Sequence, residues 1–145
     1  MKKLCVLLML AFILFGATNT FGATQDMQSG TLSIVAPASY STIESGYSSL
    51  HDNGDGTVTI YGYTRTYFPV DQVGIAFNLQ YYSSSGEWIN LRTYTYDAFD
   101  SSEINRTLVV PVSRGYSYRL FTEHYAYDNG LRESGVSMTG GVYVQ

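Results

Sequence analysis

Val112-Ser113-Arg114-Gly115-Tyr116-Ser117-Tyr118-Arg119-Leu120-Phe121-Thr122-Glu123-His124-Tyr125-Ala126-Tyr127-Asp128-Asn129-Gly130 is the stretch that decides the fold. It reads as a turn, then a long strand in which Tyr118, Leu120 and Thr122 alternate with Arg119, Phe121 and Glu123, then a hairpin turn. Alternation of period two specifies a strand with one buried face, and a strand this long belongs in the middle of a sheet.

Working outward, the same period recurs. Val73, Ile75, Phe77, Leu79 and Tyr81 alternate with Gly74, Ala76, Asn78, Gln80 and Tyr82. Seven strands are predicted, over 46–51, 57–65, 73–82, 88–96, 104–112, 116–127 and 131–144, and no stretch carries a helical period. Asp52-Asn53-Gly54-Asp55-Gly56 and Ser83-Ser84-Ser85-Gly86 are turns, residues 66–71 with Pro69 are a loop, and Gly140-Gly141 marks a bulge. The expected fold is all-β, two stacked sheets in a seven-strand sandwich.

The N-terminus has the order of a secretory signal peptide. Lys2 and Lys3 precede an apolar run over 4–15, and Gly16-Ala17-Thr18-Asn19-Thr20 follows. Twelve residues fall short of the roughly 20 that a membrane-spanning helix needs. Cleavage is expected after Gly22, with Ala23 the neighbouring site, which gives a signal peptide over 1–22, a flexible linker over 23–42 with a weak strand near 31–35, and a domain over 43–145. The processed chain is then extracellular, and no later apolar segment provides a transmembrane anchor.

Processing also changes the chemistry. Cys5, the only cysteine, and both lysines leave. Six arginines (Arg65, Arg92, Arg106, Arg114, Arg119, Arg132) remain against twelve acids, so six minus twelve gives a formal charge of −6. No disulfide and no lysine–asparagine isopeptide bond can staple such a chain. An acidic surface without basic clusters argues against nucleic acid and anionic lipid as partners. Some 123 residues suffice for one domain that buries about two-thirds of its unfolded surface.

Two resemblances follow. Seven strands in about a hundred residues, with Arg114-Gly115-Tyr116-Ser117-Tyr118-Arg119-Leu120 opening the sixth, resemble a fibronectin type III or related immunoglobulin-like sandwich. The resemblance implies that Tyr116 or Tyr118 bonds back to backbone as a corner tyrosine. Gly56-Thr57-Val58, Val70-Asp71, Leu79-Gln80, Trp88, Tyr116-Ser117-Tyr118-Arg119 with His124, and Glu133-Ser134 are similar to a family of short, exported, uncharacterised proteins of Gram-positive bacteria. That likeness implies fold and export and carries no chemistry.

Three constellations carry residue types suited to chemistry. Asp52 and Asp55 form a weak calcium candidate, because hard cations take several oxygens in a flexible loop, although the spacing departs from the helical calcium loop. A hairpin turn accounts for the same residues. His124, Glu133 and Ser134 fall on facing strands, where a base, an acid and a nucleophile could be sketched. No Gly-x-Ser-x-Gly elbow accompanies them, so a satisfied polar cluster is the expectation and no enzyme is predicted. His51 and His124 without a cysteine make a poor zinc set, and no cofactor is expected.

The aromatic surplus points to a partner. All fourteen tyrosines follow residue 22. If Ile89 and Leu91 face the core, alternation sends Tyr82, Trp88, Tyr94, Tyr96, Phe121 and Tyr125 to one outer face, with Arg92 among them. Tyrosine also suits a half-buried strand, but an exposed aromatic field interleaved with amides binds proteins or sugars. The expected function is therefore a secreted, non-catalytic binding module for an extracellular protein or cell-surface glycan. The alternative is a self-associating structural protein of an extracellular matrix or surface layer, pairing through edges that lysine does not guard.

Overall fold

Strand-forming residues and tight turns build the whole of the described chain, which in the computed structural model comprises residues 29–33 and 42–145. The elements are β1 (Ser29–Ser33), β2 (Ile43–Asp52), β3 (Thr57–Tyr82), β4 (Trp88–Pro111), β5 (Tyr116–Asp128), β6 (Leu131–Met138) and β7 (Val142–Val144). All pairings are antiparallel and form one sheet. No helix among the described residues is long and apolar enough to cross a membrane.

Two strands are far longer than the sequence pattern predicts. The strands expected at 57–65 and 73–82 are one 26-residue strand, β3, and those expected at 88–96 and 104–112 are one 24-residue strand, β4. The two run as a hairpin from Tyr82↔Trp88 to Thr57↔Pro111, and the expected loop at 66–71 is the corner where this hairpin bends. There the register shifts between Arg65 and Val70, and Asp100 takes a φ of 49° on the partner strand. Thr66 Oγ1 pins the corner through the carbonyls of Phe68 (2.7 Å) and Ser102 (3.2 Å). Pro69 fits such an irregularity, because a bulge leaves a position that needs no ladder hydrogen bond.

The bend divides the sheet into two halves that face each other. In one, β1 pairs β2, β2 pairs the first part of β3, and that part pairs the end of β4. In the other, the start of β4 pairs the second part of β3, which pairs β5, and β5 carries β6 and β7. Instead of two sheets joined only by loops, one antiparallel sheet curls over its own core. A Cβ built on Gly62 would meet Phe77 Cε1 at 2.7 Å, so two points fifteen residues apart on one strand touch across the interior. Leu50, Val58 and Ile60 from the first half close on Val73, Ile75, Phe77, Leu79 and Leu120 from the second, all at 0% exposure.

The remaining boundaries follow turn chemistry. Asn129 and Gly130 both have positive φ (49° and 76°), as the two-residue hairpin between β5 and β6 requires. The last strand expected over 131–144 is two strands, because the chain breaks at Gly140-Gly141 and β7 re-pairs with the start of β5. Strand β1 lies within the span read as a linker. The expected signal peptide lies outside the described residues.

Candidate functional aromatic face

Core-facing Val73, Ile75, Phe77 and Leu79 leave Gly74, Asn78, Gln80 and Tyr82 on the outer side of β3. Register then assigns their neighbours. Tyr82 lies opposite Trp88, Gln80 between Asn90 and Arg119, Asn78 between Thr93 and Phe121, and Gly74 between Asp97 and Tyr125. One strand further, Phe121 meets Met138 and Tyr127 meets Arg132. The outer face of the second half-sheet is thus a contiguous field of rings, amides and two guanidinium groups.

Each end of that field is an aromatic–cation stack. At one end Tyr82 and Trp88 sit 5.1 Å apart, and Arg119 Cζ lies 4.4 Å from the indole centroid. Arg119 Nε donates to Gln80 Oε1 at 2.8 Å, which fixes the guanidinium beneath the ring. Burial pulls the Arg119 pKa below its ordinary value, and no carboxylate among the described residues pairs with it. A Cβ on Gly141 would meet the indole edge at 3.3 Å, so the ring reaches across to the segment before β7.

At the other end Arg132 covers Tyr125 (5.3 Å) and Tyr127 (5.6 Å), whose rings stand edge to face at 6.1 Å. Arg132 is ion-paired to Glu123 at 2.6 Å, which raises its pKa. Tyr125 lies flat over Gly74, where any side chain would collide with its ring, and its hydroxyl donates to Asp97 Oδ1 at 2.6 Å. Burial, with the Asp97 carboxylate second, raises the phenol's pKa well above the ordinary range. Between the stacks, Thr93 Oγ1 donates to Asn78 Oδ1 (2.7 Å) and accepts from Asn90 Nδ2 (3.1 Å).

Four of the six expected residues, Tyr82, Trp88, Phe121 and Tyr125, share this face, but Tyr125 is buried there (8% exposed) rather than exposed as expected, covered by Arg132 and bonded to Asp97. Tyr94 and Tyr96 are not on this face: opposite Phe77 and Ile75, they pack against the core from the edge of the sheet. The cause is a bulge. Leu79 pairs Arg92 while Gln80 pairs Asn90, so Leu91 is an extra residue and the strand changes parity across it. Arg92 moves with them and stacks on Tyr94 at 6.0 Å. Arg119 and Arg132 are the side chains of this face that the aromatic pattern alone does not single out. The parity of β5 carries the signal for Arg119, which alternates with core-facing Tyr118 and Leu120.

The other expected constellations resolve into structure. Asp52 Oδ1 accepts from Gly54 N at 2.9 Å, and Asp55 Oδ1 from Thr57 N at 2.9 Å and Thr57 Oγ1 at 2.6 Å, so both carboxylates hold the turn. The hydrogen bonds from Thr57 lower the Asp55 pKa. His124 is fully buried, with Nδ1 2.9 Å from Thr64 Oγ1 and Nε2 2.9 Å from Ser137 Oγ. Ser134 lies opposite Tyr125 on the other side of β6, and Glu133 accepts from Thr42 N (3.1 Å) and Ile43 N (3.2 Å). The three residues therefore do not converge on a common point.

The flank beneath β4 holds a separate groove of about 250 Å³, lined by Tyr81, Leu91, Ser113, Tyr116 and Tyr118. No family model, curated protein or solved structure matches this chain.

Proposed function

We propose that the chain is a secreted, non-catalytic binding module that takes an extracellular protein or a cell-surface glycan on the face carrying Trp88. The observation that carries the reading is the Tyr82–Trp88 pair held over Arg119, a cation with no carboxylate partner among the described residues. A half-buried guanidinium fixed by an amide orients the indole in advance, so little side-chain entropy is lost when a ligand lands on it. The Asn78–Thr93–Asn90 chain beside it offers directional polar contacts. Aromatic anchors flanked by such groups dominate protein recognition and suit the apolar faces of sugars.

The fold kinship proposed for the module is the fibronectin type III sort of immunoglobulin-like sandwich. Its support is the pairing order of the two half-sheets and the hydrogen bond from Tyr118 Oη to Ser113 O at 2.8 Å, the contact a corner tyrosine makes. Export rests on the Lys2-Lys3 and 4–15 pattern, and membership of the Gram-positive family on the motifs that suggest it. The test is a panel of envelope glycans and extracellular proteins, read through the emission of Trp88, the chain's only tryptophan. A saturable change abolished by Arg119→Gln supports the reading. Saturable binding that leaves Trp88 emission untouched contradicts it.

A further inference from the structure

Strand β4 is hydrogen-bonded on one side only. Every partner it has, from Tyr82 at Trp88 to Thr57 at Pro111, lies on β3, so among the described residues its other edge is unpaired. Bare edges template further strands, and native chains blunt them with bulges, charges and proline. Parts of this edge are blunted in that way: Leu91 bulges, Asp100 is left-handed, and Pro111 ends the strand. Between the bulge and the left-handed residue the guard lapses. Thr93-Tyr94-Thr95-Tyr96 is regular, uncharged and free of glycine and proline, and β-branched and aromatic residues favour pairing.

The flanks of this window complement themselves. Arg92, with no carboxylate partner among the described residues, stands at one end, and Asp97 and Asp100 stand at the other. Exposed apolar side chains sit at equal distance from Thr95, Leu91 four residues before it (49% exposed) and Phe99 four after it (67%). A parallel pairing of two copies would set like charge beside like. An antiparallel pairing about Thr95 sets Leu91 of each copy against Phe99 of the other and turns each basic end toward an acidic one.

We propose that two copies of this chain join edge to edge, antiparallel, through residues 93–97 of β4, with a twofold axis at Thr95. The contact continues the half-sheet that carries Trp88 and leaves its outer face open, so it is independent of the ligand reading. A window this short buries less than the roughly 800 Å² per partner of a standard interface, so the dimer is weak and dissociates on dilution.

Sedimentation of the full chain up to about 1 mM tests the proposal, together with thiol cross-linking on a Cys5→Ser background. The expected results are a mass that rises from one chain to two, and a Thr95→Lys variant that stays at one chain. Residues paired across a twofold lie within disulfide reach, so Thr95→Cys forms a covalent dimer under mild oxidation. Thr107→Cys, exposed on the same strand beyond the corner, does not. A single-chain mass at every concentration overturns the proposal, as does a dimer that survives Thr95→Lys. Should Thr95→Lys lower the melting temperature, the cross-link decides: Thr107→Cys cross-linking as fast as Thr95→Cys overturns the arrangement.

Discussion

His124 is the residue whose surroundings have the sharpest consequence. It lies among the hydroxyls of Thr64 and Ser137, against Gly46, where a Cβ would come within 2.6 Å of the ring. Burial lowers its pKa from 6.5 to about 4, and the Tyr63 backbone offsets only part of that. The unfolded chain therefore binds a proton near pH 6.5 that the folded chain refuses until about pH 4. The group's contribution is complete above pH 6.5 and is lost as the pH falls toward 4, a difference of about 3 kcal/mol. Denaturant midpoints should decline across that window, and His124→Gln should flatten the decline; an unchanged slope would contradict the assignment. Thr122 offers the converse case. Its buried hydroxyl has no hydrogen-bond partner among the described residues. Thr122→Val should raise stability by roughly 1 kcal/mol, because an unsatisfied buried polar group costs about that much or more; a lowered melting temperature would show that the hydroxyl is satisfied.

At the scale of the element, the bulge at Leu91 and the corner tyrosine do the positioning. Deleting Leu91 should make the pairing regular and leave Trp88 opposite Tyr82 and over Arg119, because Asn90 already pairs Gln80 and Arg92 already pairs Leu79. Trp88 emission and its access to iodide should therefore match those of the parent, and a shifted spectrum would count against the bulge. Tyr118→Phe removes the hydrogen bond to Ser113 and should cost about 1 kcal/mol, measured by denaturant unfolding. These elements also mark how far the sequence could be read. Alternation in β5 and in the second part of β3 was plain, because the core residues of both obey one parity throughout. The side of Tyr94 and Tyr96 was not, since the bulge is settled by how β4 lies against β3 rather than by any glycine or proline within it. The corner at 65–70 reads as a loop because Pro69 interrupts a pattern that the partner strand carries across. Glu133, expected in a polar cluster with His124 and Ser134, instead holds the start of β2 through contacts some 90 residues away in sequence, which no local pattern announces.

For the whole molecule, β3 belongs to both half-sheets, so neither half can come apart without breaking a ladder of the other. Unfolding should therefore be a single transition. Trp88 reports on one half, and the Tyr47–Tyr63 stack, with ring centroids 5.7 Å apart, reports on the other. Fluorescence and near-ultraviolet dichroism should give coincident midpoints in urea, and separated midpoints would show that the halves are independent. The same continuity makes the outer face a rigid platform, with its rings fixed by a strand that is also the centre of the core. The direct test of that platform as a binding surface is retention on purified cell envelope, comparing Trp88→Ala with Tyr94→Ala. The expected result is retention weakened at least about tenfold by Trp88→Ala, the loss of one aromatic anchor, and unaffected by Tyr94→Ala. Equal retention of Trp88→Ala and the parent chain, or a loss confined to Tyr94→Ala, would contradict it.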